Sequence, residues 1–338
     1  MNPRGSKKAS PRSERTSFIS PNDTPGENVG SRLPSPDESV RIKRGYMDGA
    51  EPTHSDLLLQ ETGRRRYRAI VESLNAVRPE SVLDLGCGEG NLADMISNEG
   101  LKIKLLLGCD LDRAKLRKAA GKQFRDGRVA YIMADAENLP LKPGSFAMIV
   151  ATEILEHVPD ETRCLAELRR LAPNQILLTV PALHYPMFLF AVGSERLDAW
   201  IKKDLRSSTA LSRVLKAILR MSEGPGLPLF LLLGILRARR LAYYDYRLYH
   251  GNLPHRLYTT KYLVALLRGQ GFHVERTRGV GFSIPFVPEL EVLLRRRGIA
   301  SLAQLLGQLQ AGFDQHFSRD PDRSQNIMVV ATIKAHGR

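Results

Sequence analysis

Cysteine is scarce in this sequence: Cys87, Cys109 and Cys164 are the three among 338 residues, and they lie far apart. With no C-x-x-C pair, neither a zinc ribbon nor a disulfide framework is indicated, and a reducing, cytoplasmic setting fits. Tryptophan occurs once, at Trp200. Long apolar runs are missing as well. The longest, Gly226 to Leu236 before Arg237, has about half of the ~20 residues that a membrane-spanning helix needs. Residues 1–44 contain no apolar h-region; rich in Ser, Pro, Gly, Lys and Arg, they read as a disordered basic tail rather than a secretory leader. No internal repeat is found.

Against these absences stands a large positive charge. Fifty Lys and Arg against 36 Asp and Glu leave a formal net charge of +14. Such an excess suits nucleic acid, an acidic lipid surface or a phosphorylated substrate, and equally suits solvated basic faces. A hydrophobic content of 43% is ordinary for a globular chain.

From Ser81 onward, β-branched runs alternate with amphipathic stretches. Ser81 to Leu85, Lys102 to Cys109, Val129 to Met133, Phe146 to Ala151 and Gln175 to Val180 read as strands, and Asn91 to Ser97, Asp112 to Lys122 and Glu161 to Leu171 as helices between them. This order predicts an α/β, doubly wound, mostly parallel sheet. The pattern resumes with a helix over Thr259 to Arg268 and strands over Phe272 to Thr277 and Asn326 to Lys334, seven strands in all. The expected units are the tail (1–44), a core (45–180), an apolar helical insertion after strand five (181–258) and the rest of the core sheet with its own helical insertion (259–338). The first insertion contains a predicted helix from Ser208 to Met221, the apolar run, Arg237, Arg239 and Arg240, and Tyr243, Tyr244, Tyr246 and Tyr249.

The strongest local signal is Val82-Leu83-Asp84-Leu85-Gly86-Cys87-Gly88-Glu89-Gly90, a strand ending in an acid and three alternate glycines before a helix. Glycine permits positive φ and close approach of the backbone to a ligand. The spacing is G-x-G-x-G rather than G-x-G-x-x-G, and the flanking carboxylates suit a cationic ligand without phosphate. Gly108-Cys109-Asp110-Leu111-Asp112 closes the next strand about twenty residues on, and Ala134-Asp135-Ala136-Glu137-Asn138-Leu139-Pro140 follows the third. Asp112 reads as the cap of the following helix.

This ordered set resembles the class I S-adenosylmethionine (SAM)-dependent methyltransferases, in particular the type 11 and ubiquinone-pathway O-methyltransferase-like members, over about Arg65 to Val180. The resemblance implies a Rossmann-like fold and assigns cofactor contacts to Asp84, Gly86, Cys87, Gly88 and Gly90, ribose hydroxyls to Asp110 beside Leu111, and adenine to Asp135 and Ala136. The family's acid before the fourth strand is replaced here by Ala147.

After the fourth strand comes Glu153-Ile154-Leu155-Glu156-His157, an E-x-x-E-H unit. It is similar to units in ubiquinone-pathway O-methyltransferases and in small-RNA 2′-O-methyltransferases. There, Glu153, Glu156 and His157, joined by a later His such as His250 or His255, would hold Mg2+ or another divalent cation that acidifies the acceptor hydroxyl. Alternatively His157 is a general base, with an ordinary pKa suited to neutral pH, or the unit only packs the loop. His184, Tyr185 and His255 are substrate-side candidates. The insertion's Phe188, Leu189, Phe190, Phe230 and Leu231, with Arg237, Arg239 and Arg240, suggest a lipophilic small-molecule acceptor and peripheral membrane contact. RNA methylation and a non-catalytic SAM-binding module are the alternatives.

Overall fold

A strand buried on both faces must be apolar throughout, and the runs that meet this demand form the central sheet. The computed structural model describes residues 18–19, 34–47, 57–122, 129–171, 173–186, 188–189, 235–236, 239–248, 253–282 and 287–333. The strands of the main sheet are β2 (Ser81–Leu85), β3 (Leu105–Asp110), β4 (Val129–Met133), β5 (Met148–Thr152), β6 (Gln175–Pro181), β9 (Phe272–Val280) and β10 (Asn326–Ile333). Their order is β4-β3-β2-β5-β6-β10-β9. Strands β2 to β6 pair in parallel, whereas β10 is antiparallel to both β6 and β9. The expected α/β, mostly parallel, seven-stranded sheet is therefore present. Each of the five parallel runs begins or ends within a few residues of its expected place.

Period-two alternation divides the core between the two faces. Val82, Leu106, Met148, Val150 and Leu177 pack with Ile70 and Leu74 of α2 (Leu57–Val77) and with Leu92 and Ile96 of α3 (Asn91–Asn98). Leu83, Leu85, Ile149 and Leu178 pack on the other face with Cys164, Leu165 and Leu168 of α5 (Glu161–Leu171) and Leu263 and Leu267 of α6 (Thr260–Gly269). Between β3 and β4 runs α4 (Arg113–Ala120), capped by the Asp112 carboxylate, which accepts from the Ala114 and Lys115 amides as expected. The helical hairpin α7 (Val287–Arg296) and α8 (Ala300–Phe317) fills the connection from β9 to β10.

Two expectations are corrected. Residues 36–44, assigned above to a disordered tail, belong to α1 (Pro36–Met47). The Ser35 hydroxyl accepts the Glu38 amide, Asp37 and Glu38 occupy the first turn, and Ile42 is buried. The segment 181–258 is not all helical. Its described part contains the antiparallel pair β7 (Tyr243–Leu248) and β8 (Leu253–Tyr258), with β1 (Phe18–Ile19) on the outer edge of β7. Aromatic residues favour a half-buried pleated surface, and the Tyr243 ring packs 4.7 Å from Tyr262 and 5.5 Å from Tyr258. Trp200, Ser208 to Met221, Phe190, Phe230, Leu231, Arg237, Tyr249 and His250 lie outside the described residues.

Gly108 occupies the middle of β3 because nothing larger fits: a Cβ there would lie 2.5 Å from the Tyr131 ring and 2.9 Å from the Cys87 sulfur. Overpacking of this kind costs about 1–3 kcal/mol. Urea denaturation of Gly108→Ala is expected to give a lower midpoint at unchanged slope, and an unaltered midpoint would show that β3 and β4 can separate freely.

Candidate active site

Because β2 to β6 are parallel, their carboxyl ends share one rim, and the crevice at the point where strand order reverses lies beside β2. A cleft of about 970 Å³ opens there. Gly86, Gly88, Asp110, Leu111, Asp135, Ala136, Glu153, Glu156, His157 and His255 all line it. Asp84, Cys87 and Gly90 stand directly behind this wall, and Asp84 and Cys87 are buried.

The glycine loop bends in the left-handed region, with φ of 76° at Gly86, 53° at Gly88 and 76° at Gly90. Four of its amides are paired internally. Gly86 and Cys87 donate to the Cys109 carbonyl (2.8 and 3.0 Å), Gly90 to the Cys87 carbonyl (2.9 Å), and Gly88 to Asp110 Oδ2 (2.8 Å). These N–H groups are thus already paired rather than presented as a phosphate cradle. A Cβ on Gly86 would meet Ile154 at 2.9 Å, which ties the loop to the segment after β5.

Three carboxylates stand at successive strand ends. Burial, then the like charge of Asp110, pushes the Asp84 carboxyl up to about 7. Burial also raises Asp110, opposed by amides from Asp112 and Gly88. Asp135 accepts the Glu137 amide on Oδ1, while its Oδ2 is 2.5 Å from Lys43 Nζ. Lys43 also pairs with the buried Glu137 carboxylate at 2.7 Å. This lysine belongs to α1, and sequence reasoning missed it by ending the tail at residue 44. The capping signal Ser35-Pro36-Asp37-Glu38 was the available clue.

The E-x-x-E-H unit divides. Glu153 has φ of 52°, unusual outside glycine. Its carboxylate turns inward, accepting from Thr179 Oγ1 (3.1 Å) and from Asn326 Nδ2 (2.9 Å to each oxygen), with Arg66 Nη1 3.4 Å away. Glu156 is buried, with Oε1 3.8 Å from His157 Nε2. His157 Nδ1 lies 3.1 Å from the Pro254 carbonyl. A carbonyl only accepts, so Nδ1 carries the proton and the basic lone pair is on Nε2. The His255 ring is centred 5.0 Å from that of His157, and Tyr46 meets His157 edge-on at 5.8 Å.

Several assignments change as a result. Among the described residues no three His, Cys, Asp or Glu side chains group so as to hold a metal ion. Glu153, Glu156, His157 and His255 do not converge as a ligand set, since Asn326, Thr179 and Arg66 engage Glu153 and Pro254 engages His157. His184 approaches the Leu241 carbonyl (3.3 Å). Tyr185 is buried between Phe188 and Phe282. Neither lines the cleft. Leu189 is buried and Phe188 packs on the cleft side against His255, so this pair does not face an outer apolar phase.

Arg256 is the largest omission. It is buried, and its guanidinium donates to the carbonyls of Val158 (2.5 Å) and Pro159 (2.9 Å) with Glu161 3.8 Å away. Tyr258 Oη donates to the same Glu161 carboxylate at 2.8 Å. Burial raises the Glu161 carboxyl, and the Arg256 charge and Tyr258 hydroxyl oppose that rise. The planar fork fastens β8 to the loop carrying Glu156 and His157. A buried arginine in a basic chain has no distinguishing mark in sequence.

The family model for a methyltransferase domain matches residues 83–178. This stretch is a methyltransferase domain. It contains the glycine loop, all three strand-end acids and the E-x-x-E-H unit, and the resemblance to class I methyltransferases holds. Methyltransferase GfsG of Streptomyces halstedii is 32% identical over 117 residues, covering 33% of this chain and 41% of the relative. Ubiquinone biosynthesis O-methyltransferase of Pseudomonas paraeruginosa is 33% identical over 121 residues (34% and 51%). Demethylmenaquinone methyltransferase of Thermotoga maritima is 30% identical over 137 residues (40% and 58%). The chain spans about half the length of the curated relatives it matches.

Breaking a buried charge pair from one side costs about 3–5 kcal/mol. Arg256→Met, which keeps most of the side-chain volume, is expected to lose stability in that range by chemical denaturation. A loss below about 1 kcal/mol would mean that the loop does not need this fastening.

Proposed function

We propose that this chain is a SAM-dependent methyltransferase that O-methylates a lipophilic small molecule, with His157 as general base. The observation carrying the reading is one cleft in which a tight glycine loop, the strand-end carboxylates Asp110 and Asp135 and the imidazole of His157 stand together, with Asp84 buried behind the loop. The residues fit the cofactor. Gly86 leaves no room for a Cβ, the loop amides are internally paired, and the acids favour a sulfonium cation over a phosphate. Gly86 and Gly88 would pack on the methionine part. Asp110 keeps lone pairs beyond those used by Gly88 and Asp112 for the ribose hydroxyls. Asp135 and Ala136 would meet the adenine, where Lys43 already holds one carboxylate oxygen.

The bound cofactor supplies an activated methyl group. The chain must hold an acceptor oxygen in line and remove its proton. His157 Nε2 is oriented for this by the Pro254 carbonyl behind it, and the loop carrying it is held by Arg256. The acceptor side of the cleft is walled by Phe188, Tyr46, Ile154 and His255, an apolar and aromatic surface that suits a phenolic or quinol ring. Two of the relatives named above are quinone-pathway enzymes by name, which supports the same acceptor class.

Replacing His157 with Ala is expected to lower kcat by about 10²- to 10⁴-fold while SAM affinity stays within about twofold, read as S-adenosylhomocysteine formed with a panel of prenylated phenols. Unchanged turnover would remove the base assignment. A second expectation concerns pH. With the Asp84 carboxyl raised to about 7, it is protonated below that pH and charged above it. A nearby sulfonium favours the charged form, so binding must release a proton. SAM affinity should rise as pH goes from 6 to 8, approaching tenfold per unit below pH 7, and S-adenosylhomocysteine should show the weaker trend. Calorimetry in buffers of different ionisation enthalpy measures that proton directly. Flat affinity without proton release would contradict the coupling.

A further inference from the structure

Exposed apolar side chains are concentrated in one place. Of thirteen exposed large hydrophobic residues among those described, seven fall between Leu290 and Phe313, on the α7–α8 hairpin. The buried side of α8 carries Ala303 and Gln310, the latter donating to the Phe282 carbonyl, and Asp314 pairs with Arg65 at 2.9 Å. Leu302, Leu305, Leu309 and Phe313 follow i, i+3, i+7, i+11, which confines them to an arc of roughly 80° over a length of about 16 Å. They are 43–49% exposed, on an arc beside the buried face, with Phe313 at its edge also stacking on Phe317 and Phe282. From Ser301 to Gln315 the only charged residue is Asp314, which is engaged by Arg65. The stripe is therefore uncharged.

On α7, Leu290 and Leu293 are exposed, and Arg297 follows at i+7 on the same side. Arg295, Arg296 and Arg297 are all exposed where the hairpin turns, Arg295 also pairing with Glu291 at 2.8 Å. An apolar, uncharged stripe ending in three consecutive arginines calls for a partner that is apolar a few ångströms below a negatively charged surface. A second copy would present the same stripe and the same +14 charge, and the α7 carboxylate nearest the arginines, Glu291, is already held by Arg295 of its own helix. An anionic bilayer supplies both features.

We propose that the α7–α8 hairpin docks the protein on anionic lipid bilayers, with the Leu and Phe stripe at the headgroup–acyl boundary and Arg295 to Arg297 at lipid phosphates. This relocates the membrane contact expected above for residues 181–258. Arg65 joins the buried side of α8 to α2, whose Arg66 and Tyr67 line the cleft. Docking does not depend on the acceptor assignment.

Full-length protein would be sedimented with phosphatidylcholine vesicles and with vesicles containing about a third phosphatidylglycerol. The wild type is expected to bind the anionic vesicles at least tenfold more strongly. Leu305→Gln with Leu309→Gln, and separately Arg295→Gln with Arg296→Gln and Arg297→Gln, should each weaken that binding about tenfold or more. Melting temperature and SAM affinity should remain unchanged, since these side chains lie outside the cleft. Three outcomes would overturn the proposal: no wild-type binding to anionic vesicles, equal binding by the variants, or a dimer in sedimentation velocity that the leucine changes dissociate while vesicle binding persists.

Discussion

Parallel alignment of β2 to β6 is the constraint on which the rest depends. Strands in parallel register present all their carboxyl ends at one rim, so residues that follow each strand are brought together regardless of their separation along the chain. Asp84, Asp110 and Asp135 are brought to one rim in this way, and burial, then the like charge of Asp110, raises the Asp84 carboxyl. Burial raises Asp110 as well, so neither of these two carboxyls ionises as readily as it would in water. Gly86, Cys87, Gly88 and Gly90 spend their N–H groups on the Cys109 carbonyl, the Cys87 carbonyl and Asp110.

The opposite wall of the cleft is held by fastening rather than by sheet register. Glu153 sits in left-handed backbone and is bound by Asn326 from β10, Thr179 from β6 and Arg66 from α2. Arg256 reaches from β8 to the carbonyls of Val158 and Pro159. The four residues Ile154 to His157 are therefore clamped at both ends, and Pro254 fixes the ring of His157. Such over-determination is what allows a strained residue to persist at a functional rim. Lys43 and Tyr46 then close the cleft from α1, one toward Asp135 and the other toward His157.

Much of this was legible from local pattern. The five parallel strands, the cap at Asp112, and the cofactor-side residues follow from hydrophobic periodicity, glycine spacing and acids at strand ends, all of which operate over a few neighbouring residues. The β7–β8 hairpin was not legible, because its aromatic run read equally well as part of an apolar lid until Tyr258 and Tyr262 provided a surface for it. The metal reading finds no support among the described residues for a similar reason. Spacing alone places Glu153, Glu156 and His157 at one strand tip, but says nothing of Asn326, which lies 173 residues beyond Glu153 and engages its carboxylate.

Sequence alone settled the order of strands and helices in the parallel core, the seat of small residues and the identity of the acids around it, since short-range sterics and propensity act before the chain folds back on itself. Contacts between distant segments decided which polar side chains are engaged and which face the cleft. Lys43 on Asp135, Arg256 under the His157 loop and the outward stripe of α8 depend on the packing of distant elements, and no local rule encodes which buried charge will find which partner.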